Sequence, residues 1–235
     1  MRRVLQYAAI VAVILSCVYF FLKPIGSMDD LAIAYVDITI PNERGVMLTL
    51  ADGEKVIVGN EKREVIFEKT GNVNIKQEGR NELVYENVKT SEKRNVEEKA
   101  MNEITVPAGE RVSIILSDGT KVWLNSESAI RYPVRFGMGK RVVTVKGNVY
   151  FEVTKDVSRP FFVVMKDMET EVLGTSFEVN TYGDHGEIYM ALVEGCVRVR
   201  SGNHVVVAKP NEQVALDLES RKIFTKEVDA ARLVA

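Results

Sequence analysis

Residues 107–124 read PAGERVSIILSDGTKVWL, two short apolar runs on either side of Asp118-Gly119, and residues 41–58 read PNERGVMLTLADGEKVIV. The two stretches align without gaps at an offset of 66, with 7 of 18 positions identical, and several of the identities lie outside the turn. Asp-Gly between apolar runs is the signature of a tight β-hairpin, because glycine accepts the positive φ the turn needs and the aspartate side chain bonds backbone two residues on. Two copies of one hairpin imply stacked, similar β-units, as in a solenoid or a duplicated sandwich.

Outward from these hairpins the same texture continues. The chain holds 36 valines, a β-branched excess that suits pleated, half-buried surfaces. Apolar runs recur every 8–12 residues, predicting strands near 46–50, 55–58, 64–68, 73–76, 82–85, 110–116, 121–125, 128–132, 141–146, 149–153, 161–165, 169–173, 175–180, 188–193, 196–200, 204–208 and 212–218. In Cys196-Val197-Arg198-Val199-Arg200 the valines are expected to face inward and the arginines a wet outer face. Glu86–Glu103, charged and poor in apolar residues, reads as a mobile linker. The fold class is therefore all-β, with repeated hairpins forming a β-solenoid or a sandwich-like domain.

One segment stands apart. From Val4 to Leu22 only Gln6 and Ser16 are polar, and Arg2 and Arg3 precede the run. A helix of that length spans about 28 Å, close to the hydrocarbon thickness of a bilayer. The charge rule then places the short N-terminus in the cytoplasm and residues 23–235 on the far side. A cleaved signal peptide ending near Gly26-Ser27, or a lipoprotein cut at Cys17, are the alternatives, and all three export the body.

Composition narrows the function. The region after residue 23 carries 28 cations against 33 acids, so it lacks the basic face that nucleic acid demands. Cys17 and Cys196, one inside the apolar run and one in the body, make an internal disulfide framework implausible. His185 and His204 have no short-range partner for a zinc site, and no serine sits in a nucleophile elbow. We expect no catalytic residues, no metal, no cofactor and no enzymatic activity.

Further segments, taken in order, resemble the FecR-type periplasmic domain. They are Gly109–Arg111, Ser117–Asn125, Ser128–Pro133, Gly147–Val153, Lys155-Asp156, Arg159–Phe161, Val172–Val179 and Leu192–Gly195 with Val197. The resemblance covers about 104–218 and implies a division into a cytoplasmic stub (1–3), a transmembrane helix (4–22), a membrane-proximal β region (23–85), a charged linker (86–103), the FecR-like β domain (104–218) and a C-terminal segment (219–235). Proteins of this family are similar to single-span inner-membrane anti-sigma factors. The resemblance thus implies an inner-membrane, single-pass protein with its main body in the periplasm. That body would relay a signal from an outer-membrane TonB-dependent receptor's signalling module to a sigma factor of the extracytoplasmic-function type, and so to transcription. Relatives usually carry a sizeable cytoplasmic region, whereas only Met1-Arg2-Arg3 precedes the apolar run here. A sigma factor is accordingly an expected partner only if the native chain extends N-terminally. The C-terminal signalling module of many relatives would begin near where these residues stop.

The resemblance singles out Asp118, Gly119, Trp123, Asn125, Tyr132, Pro133, Gly147, Phe151, Glu152, Val153, Pro160, Phe161, Leu173, Gly174, Thr175, Phe177, Val179, Glu194 and Gly195, and each has a structural reading. Asp118 and Asn125 are expected to bond nearby backbone, and Trp123, the one tryptophan, to lie in the core. Gly147, Gly174 and Gly195 mark strand ends. Glu152 and Glu194 are expected to pair with Arg131, Arg141 or Lys121. Cys196 falls on the polar face or at a strand start. The alternative function is a non-signalling envelope scaffold or glycan-binding β domain, whose exposed aromatics would come from Tyr132, Phe136, Tyr150 and Tyr182.

Overall fold

The 107–124 hairpin forms as expected: β7 (Val112–Ile115) and β8 (Lys121–Leu124) pair antiparallel, with Val112 opposite Leu124. Its counterpart is β1 (Val46–Thr49) with β2 (Lys55–Val58), in the same register with Val46 opposite Val58. Even the turn bonds correspond. Gly53 N and Gly119 N donate to the carbonyls of Leu50 and Leu116 at 2.9 Å, and Asp52 and Asp118 each accept from the amide two residues on at 3.0 Å. The repeat is a structural one, yet its two copies sit in different sheets.

This is a computed structural model, describing residues 35–40, 45–58, 65–68, 73–78, 81–87 and 100–233. The apolar run 4–22 lies outside the described residues, as does most of the charged segment. Among the described residues no helix is long and apolar enough to cross a membrane.

The remaining strands are β3 (Val65–Glu68), β4 (Val73–Glu78), β5 (Glu82–Asn87), β6 (Met101–Val106), β9 (Ser128–Pro133), β10 (Arg141–Lys146), β11 (Asn148–Glu152), β12 (Phe161–Val164), β13 (Glu169–Val172), β14 (Ser176–Asn180), β15 (Glu187–Glu194), β16 (Val197–Ser201), β17 (His204–Ala208), β18 (Glu212–Asp217) and β19 (Ile223–Glu227), followed by a one-turn helix α1 (Ala230–Leu233). Among the described residues, with β1, β2, β7 and β8, they form a nine-stranded sheet A, ordered β17-β16-β13-β12-β10-β9-β6-β1-β2, and a ten-stranded sheet B, ordered β19-β18-β15-β14-β11-β8-β7-β5-β4-β3. Both sheets are mixed, through the parallel pairs β10–β12 and β5–β7.

From β6 onward the chain alternates between the sheets one or two strands at a time, always toward the β17 and β19 edges. The architecture is a two-sheet stack with the stepwise progress of a solenoid, and it is not a closed barrel. Val36–Ala235 forms one compact unit. The expected division between 23–85 and 104–218 therefore has no counterpart: β1 and β2 continue sheet A from β6, and β3 to β5 continue sheet B from β7. Nor does the linker run from 86 to 103, since Glu86 and Asn87 end β5 and Met101–Glu103 open β6. The segment 219–235 contributes β19 and α1.

One hydrophobic core lies between the sheets. Phe151 of sheet B meets Phe161 of sheet A edge-on at 6.0 Å between centroids and stacks on Phe177 at 5.2 Å. Truncating any of these rings would cost about 3–5 kcal/mol. Two features hold the alternation in place. At the corner between β10 and β11 a single residue, Gly147 (φ +90°), carries the chain from sheet A to sheet B. A Cβ there would stand 2.4 Å from Ser128 Oγ and 2.6 Å from Ser128 Cα. Gly174, at the β13–β14 crossing, is closed in the same way by Lys155 Cα at 2.5 Å.

The second feature is a buried ion pair. Arg141, at the start of β10, has no solvent exposure and donates from Nη1 to Asp118 Oδ2 at 2.7 Å and to the Thr154 carbonyl at 2.9 Å. Its Nε donates to the Arg159 carbonyl at 2.8 Å, and the guanidinium lies 5.3 Å from the Phe161 ring centre. The Asp-Gly turn of the sheet B hairpin is thereby fastened to sheet A.

Two stability outcomes follow. Gly147→Ala should lower the urea unfolding free energy by more than the ~1–2 kcal/mol cost of a positive φ alone, whereas Gly53→Ala, with open space around its Cβ, should lose no more than that. Arg141→Ala, which strands the buried Asp118 carboxylate, should cost about 3–5 kcal/mol in the same titration.

Candidate functional site

Strand alternation decides which side chains of sheet B leave the core. Val122 and Leu124 of β8, Val149 and Phe151 of β11, and Phe177 and Val179 of β14 all enter the core. Trp123, Tyr150 and Glu178 consequently project to the outer face. The ladder aligns them: Ser113 stands opposite Trp123, Trp123 opposite Tyr150, and Tyr150 opposite Glu178. Trp123 is thus 37% exposed rather than a core residue, and its ring meets Tyr150 at 5.4 Å with a 44° tilt. Alternation in Lys121-Val122-Trp123-Leu124 carries this placement, and side-chain type alone points the other way.

Around the two rings lies a groove of about 530 Å³ whose polar wall includes Asn81, Arg111, Asn125, Asn148 and Glu178. A relay of side-chain bonds fixes that wall. Asn125 Nδ2 donates to Asn148 Oδ1, and Asn148 Nδ2 donates to Glu178 Oε1. Asn125 therefore reaches across to the neighbouring strand instead of capping its own. Asn148 is held in turn by Ser128, whose Oγ accepts the Asn148 backbone N–H at 2.9 Å. At the edge, Asn81 Nδ2 donates to the Arg111 carbonyl at 2.8 Å.

Glu178 is the unusual member. The residue is 5% exposed, Oε1 takes the Asn148 bond, and buried Oε2 has no hydrogen-bond partner among the described residues. Burial raises its carboxyl above the ordinary 4.5, the Asn148 bond opposing. Burial also raises the Tyr150 hydroxyl, with a bond to Ser176 opposing and the Glu152 and Glu194 charges adding.

The other family-motif residues serve the fold. Asp118 and Gly119 build the turn, and Phe151, Val153, Phe161, Phe177 and Val179 lie in the core. The Pro160 carbonyl accepts the Arg141 amide, the Leu173 carbonyl that of Asp156, and the Thr175 carbonyl that of Val153. Glu152 meets Lys121 at 3.6 Å, one of the expected partners, and Glu194 is exposed next to Gly195 (φ +101°). Pro133 ends β9.

Of the four aromatics named for a glycan surface, Tyr132 is 1% exposed, its hydroxyl 2.8 Å from that of Tyr85. Phe136 packs edge-on against Phe161, Tyr182 is exposed away from the groove, and only Tyr150 lines it. Arg198 is likewise not on a wet face: it is buried and paired with Glu171, directly opposite on β13, at 3.0 Å. His185 occupies a 3-10 turn, Asp184–Gly186, and Cys196 precedes β16, half-buried. Among the described residues no group of three or more His, Cys, Asp or Glu side chains could hold a metal ion.

Residues 102–198 match the family model described as FecR protein. Two crystal structures of a candidate anti-sigma factor from Parabacteroides distasonis are similar to the chain at 33% sequence identity, with TM-scores of 0.55 and 0.54. The similarity covers 57% and 56% of this chain and 63% and 62% of theirs, so the chain spans less than two thirds of their length. No curated protein matches by sequence.

The buried carboxyl makes stability pH-dependent with a definite sign. Because the folded pKa lies above the unfolded one, Glu178 leaves stability intact below about 4.5 and subtracts from it as pH rises through the folded value. Glu178→Gln should therefore flatten the decline in urea midpoint between pH 4.5 and neutrality, leaving the acid side nearly unchanged.

Proposed function

We propose that the chain is a single-span, anti-sigma-factor-like regulator that works by protein contact. In this reading residues 4–22 anchor it in the inner membrane and the β domain stands in the periplasm. There it receives a signal from the signalling module of an outer-membrane TonB-dependent receptor. The signal then reaches control of an extracytoplasmic-function sigma factor and hence transcription.

The observation that carries this reading is the FecR match over 102–198, together with the likeness to structures named as candidate anti-sigma factors at 33% identity. The charge pattern supports the topology, with Arg2 and Arg3 before the apolar run and the acidic body after it. The fold offers a means of contact as well. Strands β17 and β19 end their sheets, and main-chain edges of this type accept an added strand from a partner.

In-cell photo-cross-linking of the tagged, membrane-anchored chain, read by mass spectrometry, tests the reading. A TonB-dependent receptor or its signalling module should be recovered, and deleting the chain should change transcription from a promoter of the cognate sigma factor. Recovery of envelope or glycan-processing proteins alone, with transcription unchanged, would replace signalling by a scaffold role.

A further inference from the structure

One edge of sheet A has a sequence that reads the same from both directions at its centre. We propose that β17 (His204–Ala208) is a homodimerisation edge, on which the β17 of a second copy pairs antiparallel about a two-fold axis through Val206. This inference is independent of the regulatory reading and leaves the β19 edge to a partner strand.

Hairpin chemistry fixes which main-chain groups are on offer. Ser201 and His204 close a two-residue turn, Gly202-Asn203, with Gly202 at φ +55° as its first central residue. The closing pair of such a turn exchanges both hydrogen bonds, and the pattern alternates along the ladder. His204, Val206 and Ala208 therefore bond inward to β16, and the N–H and C=O groups of Val205 and Val207 point outward. Among the described residues β17 pairs with β16 alone. The following segments do not return to it, since β18 and β19 join sheet B and α1 packs on β15.

The side chains leave this edge unprotected. Val205 is 36% exposed, Val207 is half-buried, and Val206 packs against the core without being fully buried. The strand contains no Lys, Arg, Asp, Glu or Pro, the residues that usually blunt an edge, whereas β19 ends in Lys226-Glu227. Native proteins keep an apolar, β-branched edge of this kind covered.

A second copy supplies the matching pattern. The centre of His-Val-Val-Val-Ala is palindromic. With the axis at Val206, Val205 stands opposite Val207 of the second copy and exchanges both outward bonds with it, and the symmetric pair does the same. The two Val206 side chains meet across the axis. Valine thus faces valine at all three central positions, and no charge faces a like charge. The nearest β16 arginines of the two copies, Arg200 and Arg198, would stand three strand spacings or about 14 Å apart, beyond a Debye length of ~10 Å. Each already faces an acid in its own copy, Glu169 or Glu171.

The register sets the test. Residues of a non-hydrogen-bonded antiparallel pair have Cα atoms about 4.5 Å apart, within the ~4.4–6.8 Å that a disulfide spans. In the full chain in detergent micelles, with Cys17→Ser and Cys196→Ser, Val206→Cys should form an interchain disulfide under mild oxidation. His204→Cys, more exposed but about 14 Å from its counterpart in this register, should not. Adding Val205→Lys and Val207→Lys to the Val206→Cys chain sets two pairs of like charges opposite each other and should cut the linked fraction about tenfold. Urea midpoints near that of the parent chain would show that the variants fold. If the double lysine variant unfolds, Val205→Lys alone, at the exposed position, takes its place with a smaller reduction expected.

The inference is overturned if Val206→Cys links no better than His204→Cys, or if the lysines leave linking unchanged. It is also overturned if the purified chain stays unlinked while Val206→Cys in cells joins a different protein, which would assign the edge to a partner strand.

Discussion

Neither sheet can be completed without the other, because neighbouring strands within each are supplied by separate visits of the chain. Sheet A takes β9 and β10 after sheet B has taken β7 and β8, and sheet B takes β11 before sheet A receives β12. Every visit ends in a corner, and the corner must be tight enough to keep both ladders in register. Gly147 shows how little room there is, with Ser128 backbone and side chain occupying the volume where a Cβ would go. The tightness also has a consequence for the groove. The Ser128 hydroxyl that crowds Gly147 also accepts the backbone N–H of Asn148, whose side chain is the middle member of the relay from Asn125 to Glu178.

Buried charge is handled in two contrasting ways. Arg141 is surrounded by Asp118 and two carbonyls, and Arg198 on the outer face of sheet A is matched by Glu171 directly across the ladder. In both, opposite charge compensates the loss of water, which a solitary buried ion cannot do. Glu178 has amide compensation on one oxygen only. The domain places opposite charges together on both sheets, whereas Glu178 is compensated by an amide alone.

Much of this architecture was legible in residue order, for physical reasons that also explain the omissions. The Asp-Gly turns, the valine-rich alternation and the 66-residue repeat rest on local chemistry, and they located both hairpins and most strands. Strand β6 was hidden because Met101-Asn102-Glu103 continues the polar texture of the charged segment, and its burial comes from pairing with β1 and β9. Strand β19 was hidden because its residues remain largely exposed at a sheet edge, where no alternation is imposed. Arg198 looked solvated because alternation tells which face a side chain occupies and not what stands opposite it.

The groove illustrates the same limit at its sharpest. Each of its strands, read alone, yields the outward position of Trp123, Tyr150 or Glu178 by simple alternation. Their adjacency is a different kind of information, since Trp123 and Tyr150 are 27 residues apart in sequence and Glu178 lies a further 28 beyond. Register across such non-consecutive strands is set by the shared core and the corners, because a one-residue slip of β14 would send Glu178 into the core and Phe177 out. The two stacked phenylalanines, Phe151 and Phe177, forbid that slip. The packing that makes the core thus determines, on the opposite face of the same strands, which aromatic rings stand beside which carboxyl.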